Sequence, residues 1–165
     1  MLLRAFFIQK NIIYSDMRRK KRGHSKARKH KFNGIEFASG LELYCYQALK
    51  RAKIPAHYEG QTFELLPAFK YPGTLMDRGT TKGAKVFKEK SAHVRSISYT
   101  PDFINLDWGF IIETKGFRNE SFPMRFKLFK WYLFKNGFDY DLYIPSTKSE
   151  VDITIKKIKE RHGIV

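Results

Sequence analysis

Apolar positions Leu41, Cys45, Ala48, Leu49 and Ala52 in "ASGLELYCYQALKRAKI" fall on one face of a helix. Ser39 before the run and Glu42 three residues later form a capping-box signature, and Pro55 ends the segment. The period shortens to two in "QTFELL", where Phe63 and Leu65 share a side, which predicts a strand over 61–66. Two further strands are predicted in "SYTPDFIN" and "GFIIETKG", joined by a turn at Leu106-Asp107-Trp108-Gly109. Helical spacing returns at Phe122, Phe126, Phe129 and Leu133, in a segment from Ser121 to Asn136 with Gly137 as its stop. This aromatic stripe reads as core rather than as a platform for stacked bases. "FDYDLYIP" reads as a fourth strand and "KSEVDITIKKIKERHG" as a final amphipathic helix.

The order is helix, three-stranded meander, helix, strand and C-terminal helix, which predicts one α/β domain over residues 32–165. Residues 67–95 are rich in Gly, Pro, Thr and Lys and hold no sustained period. They are too long for a hairpin connection, and read either as a functional loop or as an insertion with small elements of its own. Their positive charge suits a surface facing DNA.

Charge narrows the function. Lys and Arg number 32 against 16 Asp and Glu, a formal net charge of +16. Such an excess repels itself unless a polyanion neutralises it, so nucleic acid or an anionic membrane is the expected partner. No apolar run approaches the roughly 18 residues of a membrane span. Arg4 and Lys10 interrupt the apolar start, no small-residue cleavage site follows, and an intracellular protein is expected. Cys45 is the one cysteine, which excludes an intramolecular disulfide and argues against a thiolate-rich zinc site. Residues 17–31 carry Arg18, Arg19, Lys20, Lys21, Arg22, Lys26, Arg28, Lys29 and Lys31 with no acid. They complete a basic N-terminal extension, residues 1–31, and are expected to track DNA phosphates. Met17 opens this block, so residues 1–16 read as a dispensable extension or as an upstream start.

Asp102, Glu113 and Lys115 form a P-D-x10-E-x-K pattern at the ends of two apolar strands. A short turn brings Asp102 beside Glu113, and alternation along the strand puts Glu113 and Lys115 on one side. Paired carboxylates raise each other's pKa unless a cation neutralises them. A hard divalent ion such as Mg2+ does so while keeping several waters. It can then stabilise phosphate charge and acidify water, with Lys115 orienting water or stabilising developing negative charge. That is the chemistry of phosphodiester hydrolysis.

"SGLE" (39–42), "YTPDF" (99–103) and "IIETKG" (111–116), in that order, resemble the PD-(D/E)xK nuclease superfamily, and within it the phage-type endonuclease I family that resolves Holliday junctions. The resemblance covers residues 37–145, with no counterpart for the basic extension or for 67–95. It implies a restriction-endonuclease-like core and a Mg2+-dependent endodeoxyribonuclease acting on branched DNA in recombination, with Mn2+ as a substitute ion. It also implies metal binding at Asp102 and Glu113, a catalytic role for Lys115, and an active-site, metal-binding role for Glu42. Glu42 is equally explained as a helix cap. The family has a further acidic residue after the first helix; here His57 stands at that spacing, with Glu59 two residues on. A homodimer with exchanged segments is implied as well, in the cytoplasm, and in that of the host where the enzyme is phage-encoded. The alternatives are another PD-(D/E)xK endonuclease of restriction, repair or transposon-end type, and a non-catalytic basic nucleic-acid-binding protein.

Overall fold

Asn33 and Gly34, both with positive φ (49° and 78°), turn β1 (His30–Phe32) back onto β2 (Ile35–Phe37) in the first described hairpin. The computed structural model describes residues 28–115 and 121–164. Helix α1 (Gly40–Arg51) follows, with Ser39 as its N-cap. Its expected stop at Pro55 comes earlier: Ala52 is the C-cap, and Lys53 adopts a left-handed φ of 55°. Short strands β3 (His57–Tyr58), β4 (Phe63–Leu66) and β5 (Phe69–Lys70) come next. A longer pair, β6 (Met76–Thr81) and β7 (Ala84–Glu89), precedes β8 (His93–Val94) and β9 (Ile97–Tyr99). The chain then forms β10 (Phe103–Asn105), β11 (Phe110–Ile112), α2 (Ser121–Lys135), β12 (Asp141–Tyr143) and α3 (Lys148–Arg161).

The central sheet has the order β12-β11-β10-β3, with β12 parallel to β11 and the other pairs antiparallel. Both faces are covered, so β10 and β11 are buried at every position; β11 reads as a continuous apolar run, and the one polar residue of β10, Asn105, donates to the Pro55 carbonyl. Phe103, Phe110 and Ile112 pack with Cys45 and Leu49 of α1 and with Val151 and Ile158 of α3. On the opposite face Ile104 and Ile111 meet Phe122, Phe126 and Phe129 of α2, together with Phe63 of β4 and Tyr99 of β9. The aromatic stripe of α2 is therefore core, as its spacing predicts. The chain is a mixed α/β protein with three helices and several small sheets among the described residues.

The expected meander is realised differently. Residues 98–105 do not form one strand, because Pro101 lacks an N–H and restricts the residue before it. The segment splits into β9, which pairs with β4 in a separate two-stranded sheet, and β10, which pairs with β11 and β3. Residues 67–95 contain small elements of their own: β5 pairs with β8, and β6 pairs with β7. No helix among the described residues is long and apolar enough to cross a membrane. Arg18, Arg19, Lys20, Lys21, Arg22 and Lys26 lie outside the described residues. Arg28 and Lys29 are exposed just before β1 and Lys31 within it, and Lys29 is paired with Glu36.

Candidate active site

The β10–β11 register pairs Phe103 with Ile112, so one step further along the ladder Asp102 stands opposite Glu113. Beyond β11 the chain stays beside β12's continuation: Glu113 N–H donates to the Tyr143 carbonyl and Lys115 N–H to that of Pro145, both at 2.9 Å. Alternation then puts Glu113 and Lys115 on one side, and the Lys115 ammonium lies 3.2 Å from Glu113 Oε1. Thr114 serves Asp102. Its backbone N–H and its hydroxyl both donate to Asp102 Oδ2, at 2.7 and 2.6 Å. The three predicted groups do converge, at the end of the central sheet.

Their surroundings set the electrostatics. Glu113 is 4% exposed, and its Oε2 is buried with no hydrogen-bond partner among the described residues. An ionised oxygen in that condition is costly unless a proton or a cation meets it. Burial, then the Glu113 carboxylate opposite and Glu42 beyond, push the Asp102 carboxyl from 3.8 up to about 7, against the downward pull of the Thr114 bonds. Tyr99 shares the site: burial, the Glu113 charge and a hydroxyl contact with that carboxylate raise its pKa, although neither the Tyr99 hydroxyl nor Glu113 Oε2 makes a regular hydrogen bond among the described residues. These groups line a cleft of about 170 Å³, with Arg125 of α2 at its wall. The Arg125 guanidinium donates to the Ser98 carbonyl at 2.7 Å, and the Lys115 ammonium sits 4.9 Å from the centre of the Phe122 ring. Cys45 is fully buried and its thiol is pushed up by burial and by Asp102 and Glu42, so it is inert packing.

Glu42 is a cap in this geometry. Its N–H donates to Ser39 Oγ at 3.2 Å, and its Oε1 accepts from that hydroxyl at 2.8 Å. Its Oε2 accepts from the Ala38 N–H at 2.9 Å and from the Tyr58 hydroxyl at 2.7 Å. Glu42 is buried and close enough for its charge to raise Asp102, yet both of its oxygens are already engaged. Glu59 is tied to Asp102 through the backbone, its N–H donating to the Asp102 carbonyl at 2.8 Å, and it holds a left-handed φ of 46°. His57 stands opposite Ile104, and both His57 and Glu59 are exposed. Among the described residues no group of three His, Cys, Asp or Glu side chains is arranged to hold a metal ion. The donor set that the chain does assemble is the pair Asp102 and Glu113.

Sequence reasoning missed Thr114, Tyr99 and Arg125. Thr114 was legible in principle, being the residue between Glu113 and Lys115 whose N–H must face the neighbouring strand. Tyr99 and Arg125 meet the site only because β9 packs on α2, and no local pattern records that contact. No curated protein and no solved structure matches the chain. One family model does, over residues 22–139, a span that holds every candidate site residue from Glu42 to Lys115. By that match the chain belongs to the DUF1064 family, described as protein of unknown function.

Proposed function

We propose that this protein is a metal-dependent endodeoxyribonuclease of the PD-(D/E)xK type that hydrolyses phosphodiester bonds in branched DNA. The observation that carries the reading is the facing pair of carboxylates, Asp102 and Glu113, with one Glu113 oxygen buried and making no regular hydrogen bond among the described residues, and Lys115 beside it. That pair fits a divalent ion: the donors are hard oxygens, and a cation relieves the burial and the carboxylate repulsion that together raise Asp102. Mg2+ is the expected ion, with Mn2+ as a substitute. When bound, it supplies Lewis acidity to the phosphate and acidifies water.

The remaining work belongs to the chain. Thr114 fixes Asp102, a residue of the cleft lining, by holding Oδ2 with two bonds. Lys115 brings a fixed positive charge to the place where a phosphate gains negative charge as water attacks phosphorus and the bond to the leaving oxygen breaks. Burial of Glu113 keeps bulk water off one side of the pair. Glu42 acts as a positioning residue: it anchors the start of α1 and adds negative potential at Asp102. Branched DNA as substrate rests on the resemblance of the three motifs to junction-resolving endonucleases. The basic balance of the chain supports a DNA substrate of some kind. A cytoplasmic homodimer belongs to the same reading.

Cleavage of a four-way junction in Mg2+, run beside linear duplex of the same sequence and beside Asp102→Asn and Glu113→Gln, tests it. The wild type is expected to cut the junction, while both variants bind it without cutting. Equal cutting of both DNAs would point to a restriction, repair or transposon-end type of nuclease. The observed ion pair between Lys115 and Glu113 is also what a purely structural site would contain, and that binding-only reading requires no cleavage at any metal concentration. Lys115→Ala separates the two. It is expected to slow cleavage about 10²-fold, the scale of one missing electrostatic stabiliser, and a change of a few-fold would reduce the contact to a salt bridge.

A further inference from the structure

The β6–β7 ribbon forms a sheet of its own and pairs with no other strand among the described residues. Its turn is Lys82-Gly83, both residues at positive φ (49° and 83°), the geometry of a tight two-residue hairpin. Residues directly opposed in an antiparallel pair share a face. One face therefore carries Met76 opposite Glu89, Arg78 opposite Phe87 and Thr80 opposite Lys85. On the other, Lys88 folds back to Thr80 O and Thr81 Oγ1 at 3.3 and 2.9 Å, and Lys88 and Lys90 lie over the bare backbone of Gly79.

Two features of the ribbon point to a partner. Phe87 is 70% exposed in the middle of a strand, where an aromatic ring normally packs. Around it the segment 67–95 holds seven Lys and Arg against only Asp77 and Glu89. A second copy of the same basic segment would be repelled rather than bound. An anionic membrane would take apolar residues at the ribbon tip, but the tip is Thr81-Lys82-Gly83-Ala84, led by a cation. A polyanion with flat apolar rings suits both features, since cations hold phosphates and aromatic rings stack on bases.

We infer that the β6–β7 ribbon is a DNA arm in which Arg78, Lys82 and Lys85 hold backbone phosphates while Phe87 stacks on an uncovered base. The inference rests on the nuclease reading above. A two-stranded ribbon fits a major groove, so the cations can engage ordinary duplex. In closed duplex every base face is already covered by its neighbour. Phe87 finds an open face only at a branch, gap or single strand, and so gives the arm its preference for interrupted DNA.

The test uses the full chain in EDTA, which keeps DNA intact, with a labelled four-way junction and linear duplex of the same sequence titrated across a salt series. Arg78→Gln, Lys82→Gln and Lys85→Gln combined are expected to weaken binding to both DNAs. The log–log salt slope should fall by about 0.9 for each phosphate that is no longer neutralised. Phe87→Ala, at an exposed site, is expected to leave the circular dichroism spectrum unchanged and to weaken junction binding about tenfold with little effect on duplex. An unchanged salt slope overturns the arm, and so does equal weakening of both DNAs by Phe87→Ala. Transfer of the Phe87 effect to anionic lipid vesicles, or to the oligomeric state in sedimentation, overturns it too. The two readings fail separately. A wild type that cleaves in Mg2+ with indifferent ribbon variants removes the arm alone, while ribbon-dependent binding without cleavage in Mg2+ removes the nuclease alone.

Discussion

Burial and the neighbouring carboxylates hold the Asp102 carboxyl above its ordinary range, and the consequence for stability has a definite sign. Its folded pKa of about 7 lies above the ordinary 3.8, so between those values the native state holds a proton that the unfolded chain has released. Stability contributed by that proton is present at low pH and is lost as pH rises toward 7. In EDTA the wild type should therefore lose on the order of 4 kcal/mol between pH 4 and pH 8 relative to Asp102→Asn, which has nothing to ionise there. The variant should then be the more stable protein at pH 8, and added Mg2+ should stabilise the wild type but not the variant. Denaturant melts at the two pH values measure this; parallel behaviour of the two proteins would mean that the carboxylates do not strain each other. The Asp102–Glu113–Lys115 set was legible in the sequence because it depends only on strand alternation and a short turn. The burial of the Glu113 carboxylate was not, since it follows from how distant elements pack around it.

The start of α1 was equally legible, because a capping box is written into four consecutive residues and is observed in full at Ser39 and Glu42. Its two members should separate in their effects. Ser39→Ala should cost about 1 kcal/mol of stability, the ordinary value of an N-cap, and leave cleavage by folded protein largely intact. Glu42→Ala strands the Ala38 N–H and the Tyr58 hydroxyl, so a loss of about 2 kcal/mol is expected, with loss of cleavage beyond what stability explains. Urea melts paired with single-turnover cleavage resolve the two. If Ser39→Ala abolishes cleavage as fully as Glu42→Ala, capping is all that Glu42 contributes. Other elements resisted reading for identifiable reasons. Strands β5 to β8 carry no continuous buried face, so no period marks them, and Pro101 cuts one apparent strand into two that serve different sheets.

Within a single chain, Glu42 already lies near enough to Asp102 for its charge to act there. Segment exchange between subunits is therefore not required to bring α1 to the β10–β11 pair. Refolding Glu42→Ala together with Glu113→Gln tests this in any dimer: with each site built from one chain, every site in the mixed dimer keeps one lesion and cleavage stays absent. Recovered nicking would instead place Glu42 in the partner's site. For the molecule as a whole, local pattern sets the helical faces, the buried strand pair, the P-D…E-x-K spacing and the basic balance. Each of these is set by local periodicity, by local hydrogen bonding or by simple charge. Long-range packing settles that β3 rather than β4 borders β10, that Tyr99 and Arg125 reach the cleft, and that the Glu42 oxygens are occupied. Those outcomes depend on which distant surfaces exclude water together, and burial of that kind leaves no mark at a fixed spacing along the chain.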